Sequence, residues 1–404
     1  MGVLNPIFVA SLLVFIGYMA NYLFQTKKLP ESTLLIIMGI LLGPLFSIIN
    51  VESITKIAPL FSAIAVAIIL FEGGLNLDLF QTIKAIPYAT LLAIINAFLS
   101  IVFTAIISRF FLNWDWIYGI LLGSILSGIS GPVVISILSG ISVDEKTKTT
   151  LSVESSITDA FTILLSLAII NSLAFGNVNI HLAVKDIASA YSVGTLLGLV
   201  FGIIWISLLR KLKGKFSYML TLAFLFMIYT VSEELGGSGA ITALIFGLVL
   251  GNSEEVAKML KLGRGFEVDN TLKIFHEEIT FFIRTFFFVY LGLIFDLKLL
   301  SMKFIIISAI ISLLLVAARY ITSEIVSSIA KIDKKVTSIM TARGLGAAVV
   351  ATIPFYYGLK NSLSILGFTT AGIILTNLIN ALLVMIVERS KLEENNSLKK
   401  KNNF

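Results

Sequence analysis

Two carboxylates, Glu154 and Asp159, stand five residues apart in the stretch "TLSVESSITDAFTILLSLAIINSL", residues 150–173. As a helix this stretch is long and apolar enough to cross a bilayer. An acid at the centre of such a helix costs roughly 2.5–3.5 kcal/mol on insertion scales, so acids there are rare unless paired or functional. Ser155 and Asp159, four apart, share one helix face, and Glu154 and Thr158 share the neighbouring one. A carboxylate in hydrocarbon with hydroxyls beside it can hold a hard cation through oxygen, or take up a proton.

The rest of the chain has to position these groups. Hydrophobic residues make up 57% and charged residues 13% of 404, which points to an all-α polytopic membrane protein rather than a soluble domain. With no cysteine, disulfides, thiolate metal sites and cysteine nucleophiles are excluded. Two histidines, His181 and His276, leave little for a histidine metal site. Apolar runs of membrane length number thirteen: 4–24, 32–49, 56–72, 84–108, 115–138, 149–173, 184–208, 216–232, 238–252, 274–296, 303–328, 336–358 and 363–387. The first is too long for a removed signal peptide and lacks its basic start and small-residue cleavage site. The loop 253–273 mixes charge signs and has no core of its own. The tail "KLEENNSLKKKNNF" reads as a solvated, unstructured charge run. No soluble regulatory domain is expected, and the lipid bilayer is the expected surrounding.

The net charge of +6 resides in short loops, where it reports topology rather than nucleic-acid binding. Of 30 Lys and Arg, 21 fall in loops after odd-numbered spans and in the tail, and 6 after even-numbered spans. The positive-inside rule then places the chain in the cell membrane with its N-terminus outside and C-terminus cytoplasmic. A weak internal repeat is visible: "GLNLDL" (74–79) and "GLIFDL" (292–297) match at an offset of 218. Their spans, the third and tenth, run in opposite directions. The same offset carries "SGISGP" (127–132) in the fifth span towards "TARGLGAAVV" (341–350) in the twelfth. Glycine and polar residues inside an apolar run free the backbone to unwind. The expectation is a pair of inverted repeats with two broken, crossing helices, the architecture of secondary transporters.

The remaining three basic residues, Arg284, Arg319 and Arg343, lie inside spans. Their depths are compatible with those of Glu154 and Asp159, and a buried arginine needs a partner. We assign Glu154 to Arg319 as a structural ion pair. Asp159 then faces the broken crossing with Ser155 and Ser130, free to bind a cation or a proton. Gly131, Pro132, Arg343 and Gly344 are read as support for the breaks.

An enzyme reading has one foothold, "GISG" (128–131), which matches the Gly-x-Ser-Gly of intramembrane serine proteases. Such a protease needs a histidine within hydrogen-bond reach of the serine. His181 belongs to an external loop and His276 to the cytoplasmic edge, whereas Ser130 is deep. A cation channel has no need of a lone titratable acid at the crossing.

The stretch "VESSITDA" resembles the Glu-Ser-x-x-Asn-Asp signature of the cation:proton antiporter superfamily, specifically archaeal NhaP-type sodium/proton antiporters and related animal exchangers. "LFEGGLNLDL" (70–79), "FHEEITFFIRTFFFVYLGL" (275–293), "AARYI" (317–321) and "TARGLGAAVV" extend the likeness over essentially all thirteen spans. The resemblance implies a thirteen-helix antiporter fold, a homodimer and elevator-like alternating access, with no cofactor and with Na⁺ and H⁺ as cargo. It implies a dimerisation domain from 1–80 and 213–300, a core transport domain from 81–175 and 301–390, a linking helix at 176–212 and a cytoplasmic tail at 391–404. It also implies that Asp159 carries the ion and that Glu154 pairs with Arg319. Two positions depart from the family pattern. Thr158 stands where the family has Asn, and Ser130-Gly131-Pro132 replaces Thr-Asp-Pro, so one acid is lost. Ion ligation is assigned to Asp159, Ser155, Ser130 and Thr158, with Na⁺ first among candidate ions and Li⁺ or K⁺ as alternatives.

Glu72 ends the third span and His276 begins the tenth, its repeat mate. If the two meet, a protonated His276 paired with Glu72 could close the cytoplasmic entrance. A solvated helix-end histidine is the alternative reading, and both stand open at this level.

Overall fold

The computed structural model describes the chain apart from residues 1–5, 28–29, 50, 78–83, 142, 175–179, 210–216, 261–269 and 402–404, and without certain further side chains, His276 among them. No strand occurs among the described residues. All thirteen apolar runs are occupied by helix. The first four spans are α1 (Pro6–Lys27), α2 (Glu31–Ile40), α3 (Val51–Leu75) and α4 (Ile86–Leu112). α2 loosens into a π-helical turn, Leu41–Leu45, where Pro44 has no N–H to give the ladder. The fifth run is split into α5 (Trp116–Ile125) and α6 (Gly131–Gly140), followed by the uninterrupted α7 (Glu145–Ala174). Then come α8 (Ile180–Leu209), α9 (Ser217–Glu234), α10 (Gly239–Gly251), α11 (Ser253–Met259) and α12 (Asn270–Leu293). The last third holds α13 (Met302–Ala330), the short α14 (Lys334–Ile339), α15 (Leu345–Tyr356) and α16 (Ser362–Lys401).

Among the described residues six helices are by themselves long and apolar enough to cross a membrane. A seventh counts if α10 and α11, bent by 80°, form one span. α5, α6 and α15, pieces of the split runs, are among the shorter apolar helices, as breaking a span must make them. Two local expectations are corrected. The loop from 253 begins as helix α11, anchored by buried Ser253 and Ala257. The tail continues α16 to Lys401, because its Lys, Glu and Leu are good helix formers and nothing breaks the run.

The repeat has a packing consequence. Gly74 of α3 lies against α10 so closely that a β-carbon there would sit 2.1 Å from the Leu244 carbonyl oxygen, and one on Gly247 would sit 2.1 Å from that of Phe71. The same close crossing joins α2 and α12: β-carbons on Gly39 and Gly292 would each lie 2.1 Å from a carbonyl oxygen, those of Val289 and Ile36. Gly74 and Gly292 are the opening residues of the two Gly-Leu-x-x-Asp-Leu stretches, so the repeated glycine marks the same contact in each half. Small residues that let helix backbones touch are how apolar helices associate without a hydrophobic driving force.

The breaks also obey the repeat, with one adjustment. They span 126–130 and 340–344, an offset of 214 rather than 218. Pro132 opens α6, where its missing N–H costs nothing. The Ser130 amide donates to the Ala342 carbonyl at 2.9 Å, so the two breaks meet.

Candidate functional site

An unwound segment strands backbone carbonyls at a depth where no water can satisfy them. Here side chains take up that role. Arg343, 1% exposed, donates through Nη1 to the carbonyls of Ser127 and Gly128, each at 2.9 Å. Those carbonyls lie in the break just past the C-terminal end of α5, so a cation meets the negative end of a half-helix. Asn96 Nδ2 adds a bond to the Ser127 carbonyl at 3.1 Å. On the other break, Asn380 Nδ2 donates to the Ile339 carbonyl, and Asn377 Nδ2 to that of Arg343 at 3.1 Å. Thr158 accepts from the Ile129 amide at 3.4 Å and donates to the Ser155 carbonyl, which ties α7 to the first break.

Asp159 projects from α7 into this crossing. Its carboxylate lies beside Gly131, the first residue of α6. The positive end of a half-helix thus faces the acid. The space around the carboxylate is bounded by glycines. β-Carbons on Gly346 and Gly128 would lie 3.4 and 3.5 Å from one oxygen, and one on Gly131 3.9 Å from the other. The Ser155 hydroxyl lies beside Gly131, 3.6 Å from the same imagined carbon, and donates to the Ser152 carbonyl at 2.9 Å. Its lone pairs stay available. No group of three His, Cys, Asp or Glu able to hold a metal exists among the described residues, so any ion here relies on hydroxyl and carbonyl oxygens besides Asp159.

Glu154 turns the other way along α7. Arg319 of α13 grips it in two-pronged fashion, Nη1 to Oε1 and Nη2 to Oε2, the latter at 2.9 Å. Arg319 Nε donates to the Thr337 carbonyl at 2.7 Å, and both side chains are fully buried. Two parallel bonds between planar groups give this pair direction as well as charge balance.

Ser130 lines a cavity of about 430 Å³ whose walls also include Pro30, Gly140 and Glu388, on the side of the Lys- and Arg-rich loops. We call this the basic face. Arg284 of α12 and Glu31 of α2 pair across that cavity at 3.4 Å. Glu72 and α12 do meet: the Thr280 hydroxyl donates to Glu72 Oε2 at 2.5 Å. The side chain of His276 lies outside the described residues.

Sequence reasoning passed over Asn377, Asn380, Asn96, Glu31 and Thr280. Asn377 and Asn380 carried a usable signal. They lie three apart, on one face, in the apolar run "LTNLINALL", where an amide needs a partner as surely as a charge does.

Comparison with known proteins bears on the fold and the family. The sodium proton antiporter MjNhaP1 of Methanocaldococcus jannaschii superposes with a TM-score of 0.79 at 20% identity, over 94% of this chain and 97% of that one. The K(+)/H(+) antiporter NhaP2 of Shewanella sp. strain ANA-3 is 32% identical over 202 residues, 48% of this chain and 35% of the relative. The K(+)/H(+) antiporter NhaP of Alkalimonas amylolytica is 26% identical over 256 residues, 61% of this chain and 44% of the relative. The chain thus spans less than half the length of these curated relatives. The family described as sodium/hydrogen exchanger, transmembrane, matches residues 11–388, and the chain belongs to that family.

Proposed function

We propose that this protein exchanges a monovalent cation for H⁺ across the membrane by competition at Asp159. The observation that carries the reading is one carboxylate at the meeting point of two broken helices, ringed by glycines and facing a half-helix N-terminus. Such a group can hold a cation or a proton but not both, which couples the two flows. Na⁺ is our first assignment. K⁺ is the second reading, favoured by relatives named K(+)/H(+) antiporters. With Thr158 neutral and Gly131 in place of a second acid, one carboxylate exchanges one cation for one proton.

The packing supports a division into a moving part and a scaffold. α4 packs chiefly on α5, α13 and α7, whereas α3 packs on α10 and α2 on α12. We assign the first group, with α6 and α14–α16, to the part that moves with the ion. The second group, with α1 and α9, is the scaffold, which we take to dimerise. The basic face is cytoplasmic in this reading. The test is ion flux in proteoliposomes under an imposed pH gradient, scanning Na⁺, Li⁺ and K⁺. Cation-dependent proton movement supports exchange. Cation current without proton coupling rejects it.

A further inference from the structure

We propose that the floor of the large cavity is a second cation site, built of neutral oxygens from Asn377, Ser130 and Ser32, where a monovalent cation halts between the basic face and Asp159. The inference rests on the exchange reading above and adds a binding step to it.

The Asn377 side chain is 2% exposed, and its orientation is fixed by what it touches. Its Nδ2 donates to the Arg343 carbonyl at 3.1 Å and to the Ser32 hydroxyl at 2.7 Å. A carbonyl can only accept, so the amide cannot be turned around. Oδ1 therefore points away from both, and it has no hydrogen-bond partner within the protein among the described residues. A buried acceptor left unpaired is costly, and this one belongs to a side chain that lines the cavity.

Asn377, Ser32 and Ser130 all line the cavity. Asn377 holds the Arg343 carbonyl, and the next residue, Gly344, is so close to Ser130 that a β-carbon on it would lie 3.2 Å from the Ser130 hydroxyl. The amide and the hydroxyl thus come together where the two breaks meet. Ser32 Oγ accepts one N–H and keeps a second lone pair.

The chemistry of the set selects its ligand. Amide and hydroxyl oxygens replace the water shell of an alkali cation, as carbonyl rings do in selectivity filters. Glu31 and Arg284 line the same cavity and pair with each other, and Glu388 lies towards its Lys- and Arg-rich end; the floor itself offers neutral oxygens and so holds a cation weakly. Weak holding suits a halt on a path, because an ion must leave as readily as it arrives. The onward step is short: a β-carbon on Gly131, the residue after Ser130, would lie 3.9 Å from the Asp159 carboxylate. A cation on the floor is one residue from the carboxylate and already partly stripped of water.

The experiment is equilibrium binding of radiolabelled Rb⁺ and Na⁺ to the purified full chain carrying Asp159→Asn. The expected result is residual saturable binding that weakens about fivefold with Ser32→Ala, the effect of losing one ligand interaction of about 1 kcal/mol, and that disappears with Asn377→Ala. No saturable binding in Asp159→Asn overturns the proposal, as does residual binding indifferent to both further changes. If Asn377→Ala does not fold, Ser32→Ala decides alone, since Ser32 gives up one acceptor and no backbone bond. Full exchange activity in Asp159→Asn would instead reject the exchange mechanism itself.

Discussion

The amide of Ser130 and the carbonyl of Ala342 are hydrogen bonded at 2.9 Å, although 212 positions separate them in the chain. Neither belongs to a helix; each lies in a break. The bond, together with Arg343 on the Ser127 and Gly128 carbonyls, makes the two breaks one unit. Any displacement of one half-helix is therefore a displacement of both, and the Asp159 carboxylate, beside Gly131, lies at the point they share.

Asp159→Asn keeps the shape and the acceptor oxygen but removes the titratable charge. Exchange is expected to vanish, while the purified variant keeps the helical circular dichroism and monodisperse elution of the parent. In the parent, competition at one carboxylate predicts that the apparent KM for the cation rises by up to about tenfold per unit of falling pH, with the maximal rate unaffected. Flux measured over a matrix of pH and cation concentration checks this; a maximal rate that falls with pH at saturating cation contradicts simple competition.

Glu154→Ala strands Arg319 in a fully buried site. Breaking such a buried pair typically costs roughly 3–5 kcal/mol, because the remaining charge is uncompensated. Arg319 keeps its bond to the Thr337 carbonyl, which recovers little of that. The double variant Glu154→Ala with Arg319→Ala is expected to melt higher than Glu154→Ala alone. Thermal melts in one detergent settle it, and equal midpoints would show that the two residues are energetically independent.

The charged residues of this arrangement were visible in the sequence because charge inside an apolar run is conspicuous. Glu154, Asp159, Arg319 and Arg343 all announced themselves that way. A topology from loop lysines then gave their depths. The order of helices followed from apolar run lengths, and the breaks from glycines and a proline at residues 127–132 and 341–350. What stayed hidden was neutral or depended on long-range contact. Asn377 and Asn380 carry no charge, so they passed as part of an apolar helix. Glu31 read as the end of a loop, because nothing in its neighbourhood shows that Arg284, more than 250 positions away, reaches back to it. The register between the breaks differed by four residues from the repeat offset, since the halves have connections of different length.

Gly73 and Gly74 are neighbours on α3 with opposite surroundings. A β-carbon on Gly74 would meet the Leu244 carbonyl at 2.1 Å and the Leu248 amide at 2.7 Å, both backbone atoms that cannot swing aside. On Gly73 it would meet only the Ser156 carbonyl, at 4.0 Å. Gly74→Ala is expected to destabilise by about 1–3 kcal/mol or more, the usual cost of overpacking. Gly73→Ala is expected to be neutral or mildly stabilising, since alanine favours helix. Comparable melting points for the two variants would show that the α3–α10 crossing is looser than described.

Gly131 leaves room for an acid beside Asp159. Its imagined β-carbon stands 3.6 Å from the Ser155 hydroxyl and 3.9 Å from the Asp159 carboxylate, ordinary contact distances. An aspartate there also sits at a helix N-terminus, where negative charge is favoured. In Gly131→Asp two carboxylates would share one site, and like charges that close release their protons as a coupled pair rather than singly. The parent is expected to show a proton dependence with a Hill coefficient of about 1 and no response to an imposed membrane voltage when both ion gradients are clamped. Gly131→Asp is expected to show a cooperative proton dependence and flux that follows voltage, because a second proton adds a charge to each cycle. Voltage-driven flux in the parent would mean that a further titratable group takes part. A Gly131→Asp protein that is folded but indistinguishable from the parent would show that the two carboxylates do not interact.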